Sequence, residues 1–175
     1  MVTIKEIAKY CGVSIATVSN IINGKPNASE ATKQKVLKAI DELNYTPNYV
    51  AKNLRTQKSK TIGVVVEDIT VFCAPEIIDG ITQCSEERGY NILFTNLRLY
   101  QKLGDTYYDD KNLTDIVKSQ TNDFIAKQVD GIVYVATHER VLKCFKGGVG
   151  VPAAMAYGLT DSKEHSSVIV DDMDG

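Results

Sequence analysis

Thr3-Ile4-Lys5-Glu6-Ile7-Ala8-Lys9-Tyr10-Cys11-Gly12-Val13-Ser14-Ile15-Ala16-Thr17-Val18-Ser19-Asn20-Ile21-Ile22-Asn23-Gly24 is the stretch whose reading decides how the chain begins to fold. Thr3 and Glu6 have capping-box spacing: the threonine hydroxyl can accept from a free backbone N–H while the glutamate reaches back to the cap. A helix is therefore predicted from Ile4, with Ile4, Ile7 and Ala8 facing inward, ending near Gly12. Ser14 caps a second helix carrying Val18, Ile21 and Ile22. It stops at Asn23-Gly24, where glycine can take the left-handed backbone of a helix terminus. The connection Gly12-Val13-Ser14 is the short, glycine-containing turn of a helix-turn-helix. Ser29 caps a third helix in which Val36, Leu37, Ile40 and Leu43 recur at helical spacing, so three apolar faces can close on one small core. By pattern alone, the same arrangement also fits a plain three-helix packing unit.

Moving outward, Tyr45-Thr46-Pro47-Asn48 marks a break, after which Asn48 to Thr56 can form one short helix with Pro47 near its first turn. Nine residues are too few to be helical alone in water, so this helix needs a partner. Gln57-Lys58-Ser59-Lys60 is a polar linker. From Thr61 the period changes. Thr61-Ile62-Gly63-Val64-Val65-Val66 is a continuous run rich in β-branched residues, expected of a strand buried on both faces of a parallel sheet. A helix over Pro75 to Arg88, a strand at Asn91 to Thr95, a helix over Asn112 to Gln128 and a strand at Ile132 to Val135 follow. Further strands are expected at Ala153 to Ala156 and Ser167 to Val170. Alternation of this kind predicts a doubly wound α/β layer structure, which places ligands at the carboxyl ends of its strands.

Composition agrees with this division. Across the 175 residues 43% are hydrophobic and 24% charged, the balance of a globular protein. The overall charge of −2 hides an asymmetry: Met1 to Lys60 holds ten Lys/Arg against four Asp/Glu, a net +6, whereas Thr61 to Gly175 holds ten against eighteen, a net −8. A basic segment ahead of an acidic body points to a polyanion as partner of the first part only. No apolar run is long enough to span a bilayer and no export signal opens the chain, which reads as cytoplasmic with no membrane partner. Cys11, Cys73, Cys84 and Cys144 have no C-x-x-C spacing, and His138 and His165 complete no metal motif, so neither metal nor cofactor is expected.

Three motifs in order then resemble one family. Val2-Thr3-Ile4-Lys5-Glu6-Ile7-Ala8 with Gly12 to Ser19 and Asn23-Gly24 resembles the headpiece of LacI/GalR repressors. Leu43 to Asn48 followed by Ala51-Lys52-Asn53-Leu54-Arg55-Thr56 resembles their hinge helix. Thr61 to Val66 with Val129-Asp130-Gly131-Ile132 resembles the start of their periplasmic-binding-protein-like core. The resemblance implies an all-α helix-turn-helix DNA-binding headpiece over residues 1–46, a hinge helix and linker over 47–60, and the N-terminal subdomain of an effector-binding core over 61–175. That core is an incomplete doubly wound parallel sheet, its C-terminal subdomain absent.

By the family's pattern the chain is a transcriptional regulator, a repressor by the usual direction, reading a pseudo-palindromic double-stranded operator as a homodimer. Ile15, Ala16 and Asn20 fall on base-reading positions of the second helix. Ser14, Thr17, Ser19 and Asn23 fall on phosphates or packing, and Thr3, Asn27, Tyr45, Asn48, Ala51 and Arg55 complete the DNA-binding set. Leu54 matches the hinge leucine that enters the minor groove. The commonest family pattern has arginine where this chain has Asn20. Asparagine suits adenine and arginine suits guanine, so a different half-site is expected at that base pair unless Asn20 meets only phosphate or water.

The family's effector, commonly a sugar or other small metabolite, binds between two core subdomains. The residues offered by this half are Asp68, Phe72, Asn96, Thr137 and Tyr157, with Phe72 or Tyr157 able to stack on a sugar ring. Asn96 to Asp110, with Tyr100, Tyr107 and Tyr108, is longer than a usual connection and reads as an insertion near that mouth. Catalysis is not expected: Gly147-Gly148-Val149-Gly150 lacks the spacing and lysine of a phosphate-binding loop and reads as a turn, and His138-Glu139 has no nucleophile beside it. The competing binding-class reading is a truncated or degenerate small-molecule module responding to neither DNA nor effector.

Overall fold

The computed structural model describes residues 2–46, 58–71, 73–107, 110–145 and 148–171, with backbone only at 110–112. It divides into two compact units, Met1–Lys52 and Asn53–Gly175. The expected hinge helix, with Asn48, Ala51, Leu54 and Arg55, lies outside the described residues, as does Phe72.

The first unit is three helices: α1 (Ile4–Cys11), α2 (Ile15–Ile22) and α3 (Glu30–Glu42). Each begins on the hydroxyl cap its sequence promised. The Thr3 backbone N–H donates to Glu6 Oε2 at 2.7 Å and the Glu6 N–H to Thr3 Oγ1 at 3.4 Å, completing the box. Ser14 Oγ accepts from the Thr17 N–H at 3.0 Å and Ser29 Oγ from the Thr32 N–H at 3.3 Å. Gly12 closes α1 at φ +64°, a conformation a Cβ would strain. Ile7, Ala8, Cys11, Val18, Ile21, Val36 and Ala39 form the core, with Ile4, Ile22, Ile40 and Leu43 packed at its margin. The expected core position Leu37 is instead exposed. The stripe on α3 runs Val36, Ala39, Ile40, Leu43, at steps of three and four residues, and Leu37 sits one residue, about 100°, off it.

The second unit is a five-stranded, wholly parallel sheet in the order β2-β1-β3-β4-β5. Its strands are β1 (Thr61–Val66), β2 (Asn91–Asn96), β3 (Gly131–Val135), β4 (Ala153–Ala156) and β5 (His165–Val168). Helix α4 (Ala74–Glu87) follows β1, the short α5 (Leu99–Leu103) follows β2, and α6 (Asp110–Ala126) leads into β3.

Alternate residues of β1 serve opposite layers. Val64 and Val66 pack with Ala74, Ile77, Ile78 and Ile81 of α4, whereas Val65 packs in a cluster with Val117 and Phe124 of α6, Tyr134 and Phe145. Both faces are covered, which is why the β1 run is apolar throughout and why Gly63 to Val66 are buried. Gly63 is required there, because a Cβ would overlap the ring of buried Phe124.

Two expectations on this unit are corrected. The last strand is His165–Val168 rather than Ser167 to Val170. It pairs with the four-residue β4 (Ala153↔His165 to Ala156↔Val168), so the ladder ends at Val168 and leaves Ile169 and Val170 exposed. Asn96 to Asp110, read as an insertion, carries α5 and a 3₁₀ turn at Gly104–Thr106, which bury Leu99 and Tyr107. Helix α6 begins at Asp110, two residues before the expected Asn112. Of the four cysteines, Cys11 and Cys144 are buried as small apolar side chains, Cys73 is half-buried and Cys84 exposed; all are free thiols.

Candidate nucleic-acid interface and ligand edge

On α2 the apolar residues Val18 and Ile21 turn inward and are 0% and 7% exposed. At about 100° per residue the expected base readers Ile15, Ala16 and Asn20, together with Ser19 and Asn23, fall within about 140° of arc on the opposite side. Ile15 is 45% exposed, and Ala16 and Asn23 are exposed; Thr17, Ser19 and Asn20 are half-buried. Ser14 Oγ is engaged by Thr17, and the Asn23 amide donates to the Ser19 carbonyl at 2.6 Å. No hydrogen bond holds the Asn20 amide among the described residues. Thr3 and Asn27 are exposed and Tyr45 half-buried against the helical core.

An exposed isoleucine on the first turn of a helix gains nothing from water, and beside it stand two small side chains and two amides. That surface can enter a groove closely and meet both apolar and hydrogen-bonding base edges. The charge around it suits a polyanion. Lys33 and Lys38 pair with Glu30 and Glu42 at 3.8 and 3.6 Å, whereas Lys5, Lys9, Lys25 and Lys35 enter no ion pair among the described residues. At the start of α1, the hydrogen bond from the Thr3 backbone, then that from its side chain, holds the Glu6 carboxyl below the usual glutamate range.

In the sheet unit, Asp68, Asn96, Thr137 and Tyr157 all lie just beyond or at the carboxyl ends of strands, following β1, ending β2, and following β3 and β4. The fold brings them to one edge, but their polar atoms are largely engaged. Asp68 Oδ1 accepts from the Thr70 N–H and hydroxyl at 3.0 and 2.7 Å. Asn96 Oδ1 accepts from the N–H groups of Ile69 and Arg98 at 3.3 and 3.1 Å. Tyr157 takes φ +57° and is half-buried. Thr137 is 2% exposed.

The group that organises this edge, Glu67, was not anticipated. It sits where β2 and β3 flank the end of β1 on opposite sides, the topological switch point of the sheet, and is 0% exposed. Its carboxylate accepts from the Tyr134 hydroxyl at 2.7 Å and from the Thr137 N–H and hydroxyl at 2.8 Å each. Arg140 adds a two-pronged pair, Nη2 to Oε1 at 2.6 Å and Nη1 to Oε2 at 3.2 Å. Burial pushes the Tyr134 hydroxyl well above its ordinary value, and the Glu67 charge adds to that. Burial works against the Arg140 charge, but the hydrogen bond to Glu67 and its negative charge outweigh it, so the guanidinium holds its proton more firmly than usual. Tyr107 packs between Tyr100 and the His138 ring, centroids 6.1 and 5.8 Å away, forming an aromatic wall beside the pair. The only sequence signal for Glu67 was an acidic pair, Glu67-Asp68, closing an otherwise apolar run.

Residues 3–48 match the family described as bacterial regulatory proteins, lacI family. The chain is 35% identical over 173 residues to catabolite control protein A of Priestia megaterium, covering 97% of this chain and 48% of that protein. It is 42% identical over 106 residues to the transcriptional repressor PurR of Vibrio parahaemolyticus, covering 60% of this chain and 32% of that one. Among solved structures, the lac repressor dimer bound to operator and the anti-inducer ONPF superposes with a TM-score of 0.74 at 25% identity, over 99% of this chain and 49% of that one. The chain thus spans about half the length of the curated relatives it matches.

Proposed function

The chain belongs to the LacI family of bacterial regulatory proteins, and from that membership we propose that it is a sequence-specific DNA-binding transcriptional regulator, a repressor, that works in the cytoplasm without catalysing a reaction. The observation that carries this reading is the outward face of α2: Ile15, Ala16, Asn20 and Asn23 opposite a buried Val18 and Ile21, within a segment, Met1 to Lys60, that is net +6. Helix α2 enters the major groove, Asn20 reads a base edge, and unpaired lysines meet phosphates. The segment holding Ala51, Leu54 and Arg55 supplies the minor-groove contact, with Leu54 as the wedge.

Two protomers read a pseudo-palindrome. In support, the sheet unit presents an apolar groove of 260 Å³ between α4 and the edge strand β2, lined by Ile69, Ile78, Ile81, Ile92 and Phe94, a surface a second copy can cover. The effector is a small molecule, a sugar by the family's pattern, met by the carboxyl edge that holds Asp68, Phe72, Asn96, Thr137 and Tyr157. No helix among the described residues is long and apolar enough to cross a membrane.

Selection of binding sequences from a randomised duplex pool tests the reading. The expected result is an enriched palindrome, bound more weakly by Leu54→Ala. A pool that emerges unenriched even when protomers are tethered as dimers overturns it.

A further inference from the structure

We infer that Asp130 is a positioning residue for DNA binding: it clamps residues 59 and 60, so that the segment leading from the DNA-binding unit is held at one point of the sheet. The inference rests on the function proposed above. Asp130 lies just before β3, and its carboxylate is spent wholly on that segment. Oδ1 accepts from the Ser59 N–H at 2.8 Å and from the Ser59 hydroxyl at 3.1 Å, and Oδ2 accepts from the Lys60 N–H at 3.0 Å. Ser59 Oγ in turn accepts from the Thr61 N–H at 3.2 Å, and the Thr61 hydroxyl donates to the Ser59 carbonyl at 3.3 Å. Beyond the carboxylate, the Lys60 carbonyl accepts from the Asn91 N–H and the Thr61 carbonyl from the Asp130 N–H, both at 2.8 Å. The amino ends of β1, β2 and β3 are thereby tied to three consecutive residues.

Beginning β1 requires only the ladder bonds from Thr61 onward. The clamp does more, because it fixes two residues upstream of the strand, one of them in an unfavourable conformation. Lys60 sits at φ +53°, a left-handed backbone that a residue with a Cβ seldom adopts without compensation. Its ammonium lies 4.1 Å from the centroid of the Tyr90 ring, a cation–π contact that holds the side chain along the same edge. Hydrogen bonds to an ionised acceptor are the stronger kind, and three on one carboxylate can hold that conformation. What the clamp sets is the backbone of residues 59 and 60 on the sheet, and a DNA-binding segment whose base is held loses less freedom on binding than one whose base is loose.

The test uses the full chain and the duplex enriched from the random pool. Asp130→Ala is expected to lose about tenfold or more in operator affinity, the scale of a lost charge-assisted hydrogen bond, while binding to random-sequence duplex stays as in wild type. Ser59→Ala should lose less, and the double variant no more than Asp130→Ala. Hydrogen exchange at the Ser59 and Lys60 amides should rise in Asp130→Ala while exchange at Val64 to Val66 stays protected. If Asp130→Ala does not fold, the isosteric Asp130→Asn, which removes one acceptor, takes its place. Wild-type affinity in a variant with loosened Ser59 and Lys60 amides overturns the inference alone. Unchanged exchange at those amides, or an affinity loss that tracks melting of the sheet, overturns it equally. A wild-type chain that selects no operator overturns the DNA-binding function and the role of the clamp with it.

Discussion

Under the proposed function, Asn20 is the residue expected to set the DNA preference apart. Its amide offers one donor and one acceptor on a rigid two-torsion side chain, the geometry that matches adenine N7 and N6, whereas a guanidinium matches guanine N7 and O6. Asn20→Arg should therefore move the preferred base from adenine to guanine at one position of each half-site, with discrimination of about 1–3 kcal/mol, measured by repeating the duplex selection on the variant. Selection of an unchanged sequence would place Asn20 on the backbone instead. Glu67 and Arg140 make the opposite case of legibility. The place of Asn20 on the face of α2 opposite Val18 and Ile21 follows from helical spacing six residues after a cap, but the Glu67–Arg140 pair joins residues separated by 73 positions, and no periodicity reports such a meeting. Because Glu67 is fully buried, Arg140→Met strands a charge. Thermal unfolding of the sheet unit should show a loss of about 3 kcal/mol, and Glu67→Gln in the same chain should return part of it. No loss on Arg140→Met would mean that the Tyr134 and Thr137 donors suffice.

At the scale of elements, the helices of the first unit were the most legible part of the chain, since caps are local chemistry: Thr3, Ser14 and Ser29 each begin a helix at the next residue. The strands of the parallel sheet were legible where β-branched runs are long, as in β1, and misjudged where a neighbour's length decides, as in β5. That strand ends where β4 can no longer pair with it. The short helix after β2 could not be read, because α5 is only five residues long and is stabilised by burying Leu99 rather than by helix propensity. The α1 cap carries its own pH signature. The folded state holds the Glu6 carboxyl below its usual range, so its contribution is present above that range and disappears as pH falls through the lowered folded value. The melting midpoint of the helical unit should drop over that acid interval in wild type. In Thr3→Ala, whose cap lacks the hydroxyl, the midpoint should be lower at neutral pH and fall less on acidification. Parallel curves for the two proteins would mean that the hydroxyl adds nothing and that the Thr3 backbone N–H, which the substitution keeps, or other carboxylates carry the acid sensitivity.

For the whole molecule, the division of charge is the property that would decide how it meets DNA under the proposed function. A segment of +6 ahead of one of −8 gives a chain whose net charge of −2 would suggest indifference to a polyanion, although the two parts respond to it with opposite sign. Phosphate contacts release condensed counterions, so log K should fall linearly with log salt, with a slope of about −0.9 for each phosphate neutralised. Lys5, Lys9, Lys25 and Lys35 are the candidates in the helical unit, because Glu30 and Glu42 already engage Lys33 and Lys38. Fluorescence anisotropy of the selected duplex at a series of salt concentrations should then separate them. Replacing Lys25 by glutamine should flatten the slope by about 0.9 for each protomer that uses it, hence by about twice that when both halves of a palindrome are filled. Replacing Lys33 or Lys38 should change it less. The same titration reads the stoichiometry. A flattening near the single value would leave one protomer on the duplex, and the larger value requires two, whatever surface joins them. A slope that no lysine substitution alters would remove electrostatics as the source of affinity and leave the outward face of α2 without its anchor.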